Sequence, residues 1–282
     1  MPIRCVLVVG TGETLYANFL AYGICRIWSE RGHHVAIARA SRSATIKADC
    51  ALLHIDTTTI DPAWLPRFEP GMPVLNGRVL DISKRRISRS LVRPGDGYAG
   101  PVIVKTDANF YGIPQFPMTA MHAGTIASRQ HVTLADWRSK RLLPLDTYPI
   151  MASAGEVPDW VWPHPDVVVE RFTPERDGDL YVLRNWIFFG SREFGLKLYS
   201  RHPIVKAGNR ERYEYIDGVP EELRVERRRL GFDFGKFDYV MHEGRAILLD
   251  ANKTPTASAA ETPPPYMVTL AEALSDLFPG RY

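Results

Sequence analysis

The chain has 282 residues, of which 45% are hydrophobic and 24% charged, and these values exclude a disordered or fibrous protein. Its length favours two lobes, because a typical domain has about 150 residues. The net charge of +3, from 35 basic and 32 acidic residues, is too small to indicate a protein that binds nucleic acid.

Cysteine usage and hydropathy predict where the protein resides. The three cysteines, Cys5, Cys25 and Cys50, lack C-x-x-C spacing and are predicted to be reduced thiols, those at 5 and 25 in the core. The apolar run at the start is too short for a signal peptide, and no stretch approaches the roughly 18 apolar residues of a membrane span. We therefore expect a cytoplasmic protein that does not associate with membranes.

Strands and helices alternate over residues 1–95. Ile3 to Val9 is typical of a buried parallel strand, and apolar residues at helical spacing follow from Leu15 to Arg31. Further strands are predicted over 35–38, 51–55 and 73–75. This alternation predicts an α/β, doubly wound lobe.

Gly10-Thr11-Gly12, after the first strand, is half of a dinucleotide fingerprint. The third glycine of that motif is replaced by Leu15, and Glu30, the acidic residue in the expected interval, does not end a strand. Dinucleotide binding is therefore disfavoured and kept as an alternative.

The boundary between the lobes is predicted at the breaker cluster 93–97. Before it, a helix is expected from Ser83, carrying the basic run 84–86. After it, an apolar strand ends in Lys105 before a small polar turn. A lysine there can hold its ammonium over phosphates while backbone N–H groups of the turn line the same side.

Two strand patterns follow the proline-interrupted segment 113–165, in which a short helix is expected over 134–142. Residues 167–172 form a buried-looking strand that contains Glu170. The strand 180–189 carries Arg184 among apolar neighbours, where a charge needs a partner. That partner could be Glu170, Asp250 or a phosphate. Residues 208–220 are predicted as a polar connection, and helices over 221–230 and 267–277.

A β-hairpin is predicted over 236–250, with a three-residue loop, 242–244, that ends in glycine. Pairing Met241 with Arg245 would set Asp238 diagonal to Asp250. The two-residue period of a strand brings Asn252 onto the same face. Carboxylate and amide oxygens without His or Cys suit a hard cation such as Mg²⁺.

These features together resemble the ATP-grasp superfamily. Its metal site has an acidic residue on a strand, a hairpin, and an acidic-x-Asn element followed by proline, which match Asp238, Asp250-Ala251-Asn252 and Pro255. The family more often has Glu at the position of Asp250. The resemblance extends from Lys84 to Pro255. It implies an α+β architecture with a Rossmann-like lobe, 1–95, and an ATP-grasp domain, 96–282, in which 113–165 form a small subdomain covering the adenine side.

The resemblance also implies roles for individual residues. Lys84 and Lys105 would contact the phosphates of ATP. Arg85 or Arg86 could take the role of Lys84. Alternatively, Lys84 is only one charged residue on an exposed helix. A hinge at Glu170, Arg171 and Phe172 would read the adenine. Glu175 would accept the ribose hydroxyls, with Asp177 and Asp179 as rivals. Lys236 and Arg184 would act in catalysis, and the metal ligands would be Asp238, Asp250 and Asn252.

The activity implied is that of an ADP-forming ligase. With ATP and Mg²⁺, a small-molecule carboxylate would be activated as an acyl phosphate and attacked by an amine or similar nucleophile. No G-x-S-x-G or Cys/His constellation indicates a protein nucleophile. The alternatives are a small-molecule kinase of ATP-grasp type and a non-catalytic nucleotide-binding protein. A homodimer is compatible with the sequence.

Overall fold

The structure is a computed structural model that describes residues 1–10, 15, 17–109, 111–112, 132–145, 147–257 and 262–280. Part of the glycine motif at 10–12, residue 110 in the turn after Lys105, and residues 113–131 and 146 of the predicted subdomain 113–165 therefore lie outside the described residues. The described residues form a mixed α+β fold with four separate sheets. None of its helices has both the length and the apolar composition needed to cross a membrane.

Four parallel strands form the sheet nearest the N-terminus, in the order β2-β1-β4-β6. A helix connects the first two, and two further short strands, β3 and β5, pair with each other. The elements are β1 (Arg4–Val9), α1 (Leu20–Glu30), β2 (His34–Arg39), β3 (Thr45–Ile46), β4 (Cys50–Leu53), β5 (Arg67–Phe68) and β6 (Val74–Leu75).

The predicted strands of this lobe are present, but the predicted alternation with helices is met only between β1 and β2 among the described residues. The helix begins at Leu20 instead of Leu15, because Phe19 is extended and bridges to Thr256 of the distant C-terminal segment. All three cysteines are buried and form no disulfide, and burial raises the pKa of Cys25 to about 12.

The next part contains a three-stranded antiparallel sheet in the order β8-β7-β9. The predicted helix at Ser83 has a single turn, because the chain after it extends and Leu91 bridges to Glu170. The elements are α2 (Lys84–Ile87), β7 (Val102–Thr106), α3 (Trp137–Lys140), β8 (Ile150–Met151) and β9 (Val167–Arg171).

The largest sheet is antiparallel, in the order β13-β12-β11-β14-β15, with β10 paired to β11. Residues 212–216, predicted as a polar connection, form its exposed edge strand, and the predicted C-terminal helix is divided at Glu272. The elements are β10 (Glu175–Asp177), β11 (Leu180–Phe189), β12 (Arg192–Ser200), β13 (Arg212–Ile216), α4 (Glu221–Leu230), β14 (Phe234–His242), β15 (Arg245–Asn252), α5 (Pro265–Ala271) and α6 (Ala273–Leu277).

Apolar cores cover both faces of this large sheet. On one face, Phe189 and Phe234 pack with Trp28 of α1 and with the C-terminal helices. On the other face, Trp186 and Phe237 pack with α4 and the segment before α2. The first core stops short of the far end of β14 and β15, where polar side chains instead line a cleft.

Candidate active site

The β14–β15 hairpin brings the predicted metal ligands together, with a turn that differs from the prediction. His242 pairs with Arg245, so Glu243 and Gly244 alone form the turn. Both have positive φ, 49° and 77°, as a type I′ turn requires. The predicted three-residue loop was wrong because Glu is uncommon in the left-handed region, and its presence concealed the two-residue turn.

A bulge in β15 corrects the register of the acidic pair. Tyr239 pairs with Leu248, whereas Asp238 pairs with Asp250, so that Leu249 is one extra residue in the ladder. Without it, Asp250 would point to the opposite face, because a shift of one residue reverses every side chain. Asp238 and Asp250 therefore lie directly opposite each other instead of on the predicted diagonal.

Lys236 pairs with Asn252 on the same two strands, two residues further along. The period of two places Lys236, Asp238, Asp250 and Asn252 on one face of the sheet. Like charges directly opposite each other on neighbouring strands repel. The acidic pair consequently needs cations close by, and two lysines supply them.

Lys84 is the first of these cations. Its side chain is only 4% exposed, and Nζ lies 2.7 Å from Asp250 Oδ1. The interpretation of Lys84 as one charge on an exposed helix is therefore wrong. Arg85, the alternative to Lys84 in the same basic run, donates instead to Asp107 and to the Val167 carbonyl oxygen.

Lys236 is the second cation, and it contacts Asp238 at 3.0 Å. Burial disfavours the charge of Lys236, but Asp238 and Asp250 outweigh burial and raise its pKa above the ordinary value. Burial raises the pKa of Asp238 as well, against the opposing effect of Lys236. Asn185 Nδ2 also donates to Asp238 Oδ1, at 2.7 Å.

Lys105 is paired with Glu170 across β7 and β9. Its Nζ lies 2.6 Å from Glu170 Oε2 and 3.4 Å from the carbonyl oxygen of Leu249, the bulge residue. Glu170 is 3% exposed, and its second oxygen, Oε1, is buried without a hydrogen-bond partner. A buried carboxylate oxygen without a donor is costly, so this site is suited to a ligand that supplies one.

Arg184 and Glu175 lie outside this arrangement. Arg184 pairs with Tyr239 in the ladder, whereas its neighbour Asn185 pairs with Asp238, so Arg184 points to the opposite face. It donates to both oxygens of Glu175, which also accepts from the backbone N–H of Met241. Glu175 raises the pKa of Arg184. The structure therefore brings neither predicted residue to the face with the acidic pair.

The rivals of Glu175 are also directed elsewhere. Asp177 forms ion pairs with Lys197 and Arg212, and Asp179 is exposed and does not line the cleft. Sequence reasoning missed Asn185, which contacts Asp238. Its position next to Arg184 on a strand was the available signal, because adjacent residues face opposite sides.

The cleft above these residues encloses about 890 Å³. Arg171 and Phe172, predicted as hinge residues, line it, but their backbone N–H groups already donate to the carbonyl oxygens of Ser90 and Pro101. The next residue, Thr173, also lines the cleft, and its hydroxyl oxygen is buried without a hydrogen-bond partner.

Residues from the N-terminal part of the chain also line the cleft. Asp56, which follows β4, lines it together with Thr254, and the Thr254 hydroxyl donates to Asp56. Burial raises the pKa of Asp56, although the Thr254 hydrogen bond and the Lys253 charge act in the other direction. The cleft lining thus combines a residue that follows the N-terminal parallel sheet with one that follows β15.

His54 packs against Phe19, which lines the cleft, and is 1% exposed. Its ring contacts Phe19 edge-on, with centroids 5.0 Å apart, and Nε2 is buried without a hydrogen-bond partner. Burial lowers the pKa of His54 to about 4, and the charge of Lys253 acts in the same direction. His54 is therefore neutral in the folded protein at neutral pH.

The free energy of unfolding is expected to decrease as the pH falls from about 6.5 to about 4. In this window His54 becomes protonated in the unfolded chain but stays neutral in the folded protein. The resulting loss of unfolding free energy is at most about 3 kcal/mol. The measurement is the thermal melting temperature of the wild type and of His54→Gln between pH 7 and 4.5. The variant should show the smaller decrease, and an equal decrease in both would contradict the prediction.

The donor set fits a hard divalent cation. Two carboxylates and one amide oxygen share one strand face, and ligands of this kind suit Mg²⁺ completed by water and phosphate. Among the described residues, no group of three or more His, Cys, Asp or Glu could hold a metal ion. The adjacent lysines would balance the acidic charge when no cation is present.

Comparison with known proteins gave matches among solved structures alone. No protein-family model matches the chain, and no curated protein does. A RimK domain ATP-grasp protein from Sphaerobacter thermophilus aligns at 14% identity and TM-score 0.45, over 88% of this chain and 91% of that one. The macrocyclase MdnC from Microcystis aeruginosa, bound with its precursor peptide MdnA, aligns at 10% and 0.46, over 97% and 98%.

The D-alanine–D-alanine ligase from Bacillus anthracis aligns at 11% identity and TM-score 0.36, over 90% of this chain and 87% of the ligase. The three solved structures are thus similar to this chain at identities of 10–14% and TM-scores below 0.5. Sequence identities and TM-scores this low do not assign a fold or an activity to the chain.

Proposed function

We propose that this chain is an ATP-dependent ligase of ATP-grasp type, which activates a carboxylate as an acyl phosphate and releases ADP and phosphate after attack by an amine or similar nucleophile. The observation that carries the proposal is the arrangement of Lys84 and Lys105, which line the cleft, and of Lys236, which pairs with the lining residue Asp238. Lys84, Lys105 and Lys236 are each held by a carboxylate within 3.0 Å. These three lysine–carboxylate pairs are charge-balanced without a ligand. When ATP binds, the lysines can exchange their carboxylate partners for phosphate oxygens.

The nucleotide base would bind near Glu170. Its buried Oε1 lacks a donor, and the exocyclic amino group of adenine is a donor of the required kind. The Thr173 hydroxyl offers a second unsatisfied group on the same wall. Arg171 and Phe172 would contribute to the wall without their N–H groups, which are already used.

The phosphates would bind between Lys105 and the acidic pair, Asp238 and Asp250. Asp238, Asp250 and Asn252 would hold Mg²⁺, which supplies positive charge to the phosphate oxygens. With that cation on the carboxylates, Lys84 and Lys236 would be released towards the phosphates. Fixed positive groups of this kind stabilise the charge that develops during phosphoryl transfer.

No side chain is needed to form a covalent bond with the substrate. The described part of the cleft offers cations, carboxylates and amides, but no Cys and no Ser paired with His lines it. This favours direct transfer of the phosphoryl group to the substrate carboxylate, followed by attack of the amine. Small-molecule carboxylates and amines are accordingly the proposed substrates.

The test traps the acyl phosphate. The protein is incubated with ATP, Mg²⁺ and a panel of amino acids and small carboxylic acids, with hydroxylamine replacing the amine. The expected product is a hydroxamate, with one ADP formed per hydroxamate, because hydroxylamine attacks acyl phosphates. A stable phosphate ester would instead identify a kinase, and release of AMP and pyrophosphate would identify an adenylating enzyme.

A further inference from the structure

Asp56 and Thr254 connect the two lobes beside the predicted cation site. Asp56 follows β4 of the N-terminal sheet, whereas Thr254 lies two residues after the end of β15. The Thr254 hydroxyl donates to Asp56 Oδ1 at 2.5 Å across 198 positions of sequence. Thr254 is 2% exposed, so this hydrogen bond is shielded from water.

Thr254 also holds the side chain of Asn252. Its backbone N–H donates to Asn252 Oδ1 at 2.8 Å, and its hydroxyl oxygen lies 3.2 Å from the same atom. Because an N–H group needs an acceptor, the amide oxygen of Asn252 and not its nitrogen has to face Thr254. An amide oxygen has two lone pairs, so Oδ1 keeps one for a further ligand.

Asn252 requires such support more than the two carboxylates do. It is uncharged, so a cation attracts it less strongly, and it is the last residue of β15, where pairing with β14 ends. The chain beyond it is held by the N-terminal lobe, since Leu20 N–H donates to the Pro255 carbonyl oxygen at 2.9 Å. The segment that donates to Asn252 is therefore held by contacts from outside the β14–β15 sheet.

We propose that Asp56 and Thr254 are positioning residues that hold Asn252 in the orientation required for Mg²⁺. The divalent-cation site of the nucleotide-binding half then depends on a residue of the N-terminal lobe. This inference rests on the proposed function, because it concerns the cation that accompanies ATP. Partners that hold a metal ligand by hydrogen bonds typically change metal affinity by about 10- to 100-fold.

The experiment measures binding of the non-hydrolysable analogue AMP-PNP by calorimetry at a series of Mg²⁺ concentrations, without turnover. Thr254→Val keeps the shape of the side chain and removes its hydroxyl. This variant should need about tenfold more Mg²⁺ for half-maximal enhancement of AMP-PNP binding. Its affinity for AMP-PNP without Mg²⁺ should be unchanged. Thr254→Ser should restore the wild-type value. The matched control is Thr269→Val, which removes an exposed hydroxyl on α5 and should change nothing.

Asp56 supplies an independent pair of variants if Thr254→Val folds poorly. Asp56→Asn keeps an oxygen that can accept the Thr254 hydrogen bond and should retain near wild-type Mg²⁺ dependence. Asp56→Ala removes the acceptor and should reproduce the tenfold change. An equal loss of AMP-PNP affinity with and without Mg²⁺ would indicate a general structural role and overturn the inference.

Two further outcomes separate the inference from the proposed function. If the wild type requires Mg²⁺ for tight AMP-PNP binding and the variants of Thr254 and Asp56 require it equally, the inference alone is overturned. If wild-type binding is absent, or is the same with and without Mg²⁺, the proposed function is overturned and the inference with it.

Discussion

Replacement of Asp250 by asparagine is expected to lower ATP turnover about a thousandfold. Asp250 faces Asp238 across the hairpin and holds Lys84 at 2.7 Å, so it is proposed both to bind the cation and to orient a phosphate-binding lysine. A loss of roughly 4 kcal/mol of transition-state stabilisation corresponds to this factor. The measurement is the rate of ADP release with the active carboxylate substrate, at saturating Mg²⁺.

Asparagine keeps an oxygen that can accept from Lys84, and Asp238 still supplies a negative charge that interacts with Lys84, so the fold should be retained. A thermal melt of Asp250→Asn should therefore stay close to that of the wild type. The matched control is Asp276→Asn, where the carboxylate instead pairs with Arg192 at the surface. That control should turn over ATP normally, and equal loss of activity in both variants would remove Asp250 from the site.

Replacement of Lys105 by methionine is expected to lower turnover by about 10²- to 10³-fold, a typical effect of removing one group that stabilises developing charge. The same change leaves Glu170 buried without its cation. Breaking a buried ion pair of this kind costs about 3–5 kcal/mol. The single variant should therefore lose activity and melt at a lower temperature, and the two effects have to be separated.

The double variant Lys105→Met/Glu170→Gln separates them. Removing both charges should recover most of the lost stability, because no uncompensated carboxylate remains. Activity should stay low, since the lysine for the phosphates is still absent. Recovery of activity together with stability would mean that Lys105 is structural. Lys140→Met, at an exposed ion pair with Asp136, is the control for a change of lysine to methionine.

Local patterns in the sequence were sufficient for much of the site. The period of two along a strand placed Asp250 and Asn252 on one face, and an apolar run ending in Lys105 predicted a strand whose final charge faces the cleft. These predictions held because side-chain direction within a strand depends on neighbouring residues alone. Glu170 also lines the cleft, but its predicted role came from the resemblance to ATP-grasp enzymes and not from the pattern of its strand.

Partners and register required the tertiary structure. Lys84 pairs with Asp250 across 166 residues, and Thr254 with Asp56 across 198, distances over which no local pattern carries information. The position of Arg184 away from the acidic pair was not predictable for a related reason. Its strand was recognised, but which face of that strand meets the cleft is decided by pairing with β14.

The bulge at Leu249 is a feature that the local sequence does not predict. One extra residue in β15 compensates for the two-residue turn and returns Asp250 to the face of Asp238. Nothing local distinguishes Leu249 from its neighbour Leu248, because both are apolar strand formers. The sequence determined which residues could bind a cation and phosphates. Packing of β14, β15 and the lysine-bearing segments decided which of them meet, since register is set by the whole sheet and not by single residues.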